Sequence, residues 1–148
     1  MHKTKIWLLG ALSVSLILTG CAKQSQEQAR KELEKKTGVK TETGKKVEVR
    51  DLPKEFLYPN AVAKSRTSVK TGQTETITTT FETLHSMDKV KDFFDQKPDS
   101  RGWEESSRPA ISGGLSYLFT KGDLRSTVIL TEHANKIVIT FSFNKPSK

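Results

Sequence analysis

A chain of 148 residues with 25 Lys and Arg against 17 Asp and Glu carries a formal charge of +8, and only 34% of it is hydrophobic. That length bounds it to one small domain plus a linker, and a domain near ~100 residues buries only about 60–65% of its unfolded surface, so a surface cleft is expected rather than a deep internal site. The single cysteine excludes an intramolecular disulfide, and the lack of a zinc-finger spacing or an aromatic RNP box argues against nucleic acid as the partner of the basic charge.

The chain opens with Lys3 and Lys5, then a mostly apolar run from Ile6 to Leu18, then Leu18-Thr19-Gly20-Cys21. A basic start, a short apolar stretch and small residues before a cut are the layout of an export signal. The run falls short of the roughly 20 apolar residues that a membrane span needs. Leu18-Thr19-Gly20-Cys21 resembles the lipobox of bacterial lipoproteins. The resemblance implies cleavage of the Gly20-Cys21 bond and a diacylglyceryl group, often with a further acyl chain such as palmitate, on Cys21. Two or more chains hold a protein stably at a bilayer without a transmembrane helix. No apolar run after Cys21 is long enough to span. The implied location is a bacterial membrane: the periplasmic face of the outer membrane in a two-membrane organism, since Ala22 is not Asp, and otherwise the outer face of the cell membrane. Loss of the leader leaves about 128 residues and a charge lower by about two, still suited to anionic lipid headgroups or surface polymers.

Ala22 to Lys36 consists of good helix formers with Leu33 as its one large apolar residue, so a helix there lacks a face to bury. Thr37-Gly38 ends it, and Val39 to Lys46 reads as disordered, making 21–50 a lipidated N-terminus and polar tether. The folded domain is expected over 51–148. Leu52-Pro53 and Leu57-Tyr58-Pro59-Asn60 are extended, turn-prone contexts. Ala61 to Lys70 and Thr74 to Leu84 predict a hairpin about Thr71-Gly72-Gln73, with Ile77, Thr79, Phe81 and Thr83 on one face. Ser86 predicts the N-cap of a helix carrying Met87, Val90, Phe93, Phe94 and Lys97, stopped by Pro98. Trp103 is expected to plug the helix–sheet interface at the start of a short strand to Ser107. Strands then follow at Leu115 to Lys121, Leu124 to His133 and Lys136 to Phe143, with a frayed basic tail from Asn144.

The fold class is therefore α+β: an antiparallel sheet with one main helix packed across it, β-β-α-β-β-β-β, preceded by a flexible charged tether. Tyr58-Pro59-Asn60-Ala61, the threonine-rich strand to Thr83, Val90 with Phe93-Phe94, and Gly102-Trp103 together resemble an uncharacterised small domain that recurs in bacterial lipoproteins. That resemblance brings no catalytic residues.

Candidate chemistry is sparse. After His2 leaves with the leader only His85 and His133 remain, and no Gly-x-Ser-x-Gly elbow accompanies them. His85 with Asp88 and Asp92 one helical turn apart is the conceivable metal grouping, although two carboxylates on a charged helix face are commonplace. Gly113-Gly114 lacks the Gly-Lys-Ser/Thr ending of a phosphate loop, so no cofactor is expected. The expected function is that of a non-catalytic envelope lipoprotein whose small domain binds another envelope component, a protein or an anionic polymer. The alternative is an envelope hydrolase or metal-dependent enzyme using His85 or His133.

Overall fold

A computed structural model describes residues 21–44, 47–96 and 98–147, with side chains from Gln28 onward. The export signal over 1–20, the cut at Gly20, and Lys97 lie outside the described residues, as does the Cys21 thiol. The chain divides between Glu32 and Leu33 into two compact units.

The described part of the first unit is the opening of helix α1, Cys21–Thr37. Its last turn lies in the second unit, where Lys35 and Lys36 suit the negative end of the helix dipole. Thr37 Oγ1 donates to the Leu33 carbonyl at 2.7 Å. Gly38 adopts φ 67 and donates its N–H to the Glu34 carbonyl at 2.9 Å, a left-handed glycine cap.

The second unit is built on a seven-stranded antiparallel sheet: β1 (Val39–Thr43), β2 (Val62–Thr71), β3 (Thr74–Thr83), β4 (Glu104–Ser107), β5 (Gly114–Lys121), β6 (Leu124–His133) and β7 (Lys136–Pro146). Spatial order is β1-β2-β3-β7-β6-β5-β4. Two meanders therefore meet where β3 pairs β7, from Thr74↔Pro146 to Thr83↔Ile137. The link from central β3 to edge β4 must cross four strand spacings, roughly 19 Å. Helix α2 (Met87–Gln96) covers most of that distance, since ten residues rise about 15 Å. The order of the links thus forces the helix across the sheet.

Registered rows run over the covered face. One is Ile77, Phe143, Ser126 and Phe119, and the next is Thr79, Phe141, Val128 and Tyr117. Over them lie Val90 and Phe94 of α2, Trp103, and a strap over 47–61 that contributes Leu52, Phe56 and Tyr58, all buried. Phe56 sits on a single 3-10 turn, Lys54–Phe56, and its ring lies 4.8 Å from Phe141, 4.9 Å from Trp103 and 5.2 Å from Phe119. Trp103 is buried as expected, 2% exposed, but its ring contacts are with Phe56 of the strap and with Phe143 of β7 at 6.2 Å, so it fills the strap–sheet interface. The opposite face of the sheet is rich in half-exposed threonine and serine, with Thr78 and Ser142 hydroxyls 3.0 Å apart.

Three expectations need correction. Val39 to Lys46 is not wholly a disordered tether, because Val39–Thr43 pairs β2 from Val39↔Val69 to Thr43↔Ser65. Val39, Thr41 and Thr43 are β-branched at alternate positions, and β2 offers them an open edge. The sheet thus includes residues assigned to the 21–50 tether. The tail from Asn144 is not frayed: β7 runs to Pro146, and the Ser147 N–H donates to the Gln73 carbonyl at 2.8 Å. Finally, the short strand begins at Glu104 instead of Trp103, whose N–H turns back to the Pro98 carbonyl at 3.2 Å.

Candidate ligand-binding cleft

A cleft of about 390 Å³ opens at the end of the sheet where β2 begins, β3 ends and β7 begins. It is lined by Asn60, Val62, Lys64, Glu82, Thr83, Leu84, His85 and Lys136. The alternation of β3 puts Thr83 inward, so the next residue, Leu84, turns out; it is 80% exposed. Val62, the first residue of β2, is 59% exposed on the other wall. Large apolar side chains left in water beside a concavity mark a contact surface more often than chance placement does.

The charged rim comes from three adjacent strands. Glu82 of β3 accepts from Lys136 Nζ of β7 at 3.0 Å, and Lys64 Nζ of β2 lies 3.3 Å from the same Oε2 atom. The Lys136 hydrogen bond, with Lys64 adding, holds the Glu82 carboxyl below its ordinary value. Lys64 projects from a bulge, since the β2–β3 register shifts between Ala63 and Ser65.

Beneath the cleft, the Tyr58 hydroxyl lies 2.7 Å from His85 Nδ1. Burial pushes the Tyr58 phenol up, so it keeps its proton and donates when Nδ1 is bare. The Tyr58 ring also meets Phe93 of α2 edge-on at 5.1 Å, and the His85 backbone N–H donates to Thr83 Oγ1 at 3.3 Å. The imidazole is thus tied to the strap through Tyr58. Asn60, at φ 64, makes the turn that brings Tyr58 down to His85.

Of the residues singled out in the sequence, His85 lines the cleft, whereas His133 is exposed at the end of β6 and does not. Asp88 and Asp92 are exposed on α2. Among the described residues no group of three or more His, Cys, Asp or Glu is arranged to hold a metal ion, and no helix is long and apolar enough to cross a membrane. Sequence reasoning missed Val62, Lys64, Glu82, Leu84 and Lys136 as a set. The available signal was Leu84, an apolar residue out of phase with its strand.

A second concavity, about 300 Å³, lies between the strap and the covered side of β1 and β2. There Arg66 donates from Nη1 and Nη2 to the two oxygens of Asp51 at 2.7 Å each, and from Nη1 to the Glu48 carbonyl at 3.1 Å. The Arg66 guanidinium, with Lys145 adding, lowers the Asp51 carboxyl to about 2. Ser68 donates to Glu75 beside it. Arg66 and Ser68 are matched to acceptors of the chain itself, and the Arg66–Asp51 pair clamps the strap to β2.

A START domain-like family model matches residues 63–145, which runs from the second residue of β2 to the penultimate residue of β7. No curated protein and no solved structure matches the chain.

Proposed function

The chain belongs to the START domain-like family, whose domains are typically ligand-binding and not catalytic, and on that premise we propose that it is a lipid-anchored envelope protein that binds a ligand in the cleft at the sheet end. The observation that carries the binding reading is the pairing of exposed Val62 and Leu84 with the Lys64–Glu82–Lys136 rim. The anchoring reading is supported by the lipobox resemblance of Leu18-Thr19-Gly20-Cys21. Acyl chains on Cys21 hold the protein at the membrane, and α1, about 25 Å long at 17 residues, adds to the reach of the linker. The ligand is another component of the envelope.

Two measurements test this. Cells fed radiolabelled palmitate should yield labelled protein, and Cys21→Ser should abolish both label and membrane fractionation; an unlabelled soluble product starting at Cys21 overturns the anchoring. A photoreactive residue at position 84, compared with one at Thr67 on the open sheet face away from the cleft, should give a cleft-specific adduct in intact cells. No adduct from position 84, or equal adducts from both, overturns the cleft.

A further inference from the structure

Glu82 occupies an unusual place. It is a single carboxylate held by ammonium groups from the strands on both sides of its own, at the lip of a cleft with exposed apolar walls. We propose that Glu82 is a placeholder, and that the cleft takes an acidic peptide segment whose carboxylate displaces Glu82 from between Lys64 and Lys136 while a neighbouring bulky apolar side chain lies against Val62 and Leu84. The inference rests on the cleft being the binding site.

The charges on the rim do not cancel. Two cations share one anion, leaving one positive charge in excess at a surface that already belongs to a basic chain. Lys64 and Lys136 keep 47% and 45% of their side chains exposed, so each ammonium still has donors to offer a second carboxylate. Ion pairs this exposed contribute little net stability, because water competes for both partners, so exchanging one carboxylate for another meets little resistance. The apolar walls supply what the charge cannot, since a side chain laid on Leu84 and Val62 removes apolar surface on both partners from water.

The openness of the cleft favours a peptide. Small-molecule sites enclose most of their ligand, whereas this cleft lies open to solvent and leaves room for a chain to continue beyond the side chain it seats. A flat membrane surface would gain little from apolar side chains set around a concavity.

The test uses full-length lipidated protein in detergent micelles and labelled synthetic peptides alternating Leu and Glu, with Leu–Gln peptides as controls, read by fluorescence anisotropy. The Leu–Glu peptide should bind and the Leu–Gln peptide should bind several-fold more weakly, the loss expected when an exposed ion pair is removed. Leu84→Ser should weaken binding roughly tenfold, as truncation of an apolar anchor does. Lys136→Gln should weaken it several-fold. Glu82→Gln should tighten binding about threefold, because it frees both ammonium groups. That sign is diagnostic: a purely structural Glu82 would leave affinity unchanged or lower it, and either result overturns the placeholder. Unchanged thermal unfolding would show that these exposed changes leave the fold intact. Equal capture of a polyanion such as dextran sulfate, insensitive to Leu84→Ser, would overturn the peptide in favour of an anionic polymer, and capture of phosphatidylglycerol vesicles by the Cys21→Ser chain, which has no acyl group of its own and needs no detergent, would overturn it in favour of a lipid surface if Leu84→Ser abolishes that capture. If position 84 still yields an adduct in cells while every acidic peptide fails, the cleft stands and the peptide assignment falls.

Discussion

Replacing Phe56 by alanine should remove a large part of the stability of the folded unit, although the residue lies on one turn of 3-10 helix in a strap with little other regular structure. Phe56 is 1% exposed, and its ring lies about 5 Å from three other rings: Phe141 stacked, Trp103 and Phe119 edge-on. Withdrawing a buried phenyl forfeits roughly 2–3 kcal/mol of transfer free energy, and each well-oriented ring pair contributes about 0.5–1.5 kcal/mol beyond that. The cavity left behind relaxes only in part, which places the expected loss at about 4 kcal/mol, within the range seen for buried Phe→Ala changes. A domain of this size is stable by about 5–15 kcal/mol in total. With a urea slope near 1.5 kcal/mol/M the midpoint should fall by about 2–3 M, and the milder Phe56→Leu should move it by about 1 M or less. The assay is urea unfolding of the chain from residue 21 onward carrying Cys21→Ser, followed by tryptophan fluorescence, for which Trp103 beside Phe56 is the reporter. A midpoint shift under about 0.5 M for Phe56→Ala, with the slope unchanged, would refute the packing of the strap on the sheet.

Acid should loosen the same strap by another route. Asp51 titrates at about 2 in the fold against 3.8 when unperturbed, so its contribution is fully present above pH 3.8 and is lost as pH falls through about 2. Because its side chain is 41% exposed, screening reduces that contribution to about 1 kcal/mol; Asp51→Asn should flatten the stability-versus-pH curve in that window, and an unchanged curve would refute the clamp. Gly114→Ala should cost about 2–3 kcal/mol, since a Cβ there would lie 2.2 Å from the Leu130 carbonyl oxygen, and β5–β6 amide exchange should accelerate. A Gly114→Ala protein with wild-type melting would contradict that close approach.

Much of the fold was legible because strands announce themselves locally. Ile77, Thr79, Phe81 and Thr83 alternate with polar residues, and all four are buried. The turns at Gly72, Gly122 and Ala134-Asn135, all at positive φ, fall between such runs. β1 was missed for the opposite reason: five residues with two charges carry too little local signal, and the strand exists because β2 leaves an edge to be paired. Asn144 to Pro146 likewise looked like a tail, yet it is held by Thr74 to Thr76, some seventy residues earlier in the chain.

The cleft was less legible still. Val62, Glu82 and Lys136 each read as ordinary strand residues, and their grouping follows from β7 returning to the centre of the sheet beside β3. The register of β2 sets Arg66 on the covered face, where Asp51 from the strap meets it, and nothing local in the sequence marks that pairing. The sequence by itself determined the α+β class, the amphipathic helix α2 and the burial of Trp103, because periodicity and turn chemistry act over a few residues. The tertiary structure alone decided strand order, the seventh strand, the clamp at Arg66 and the site at the sheet end, because each depends on which distant strands share hydrogen bonds.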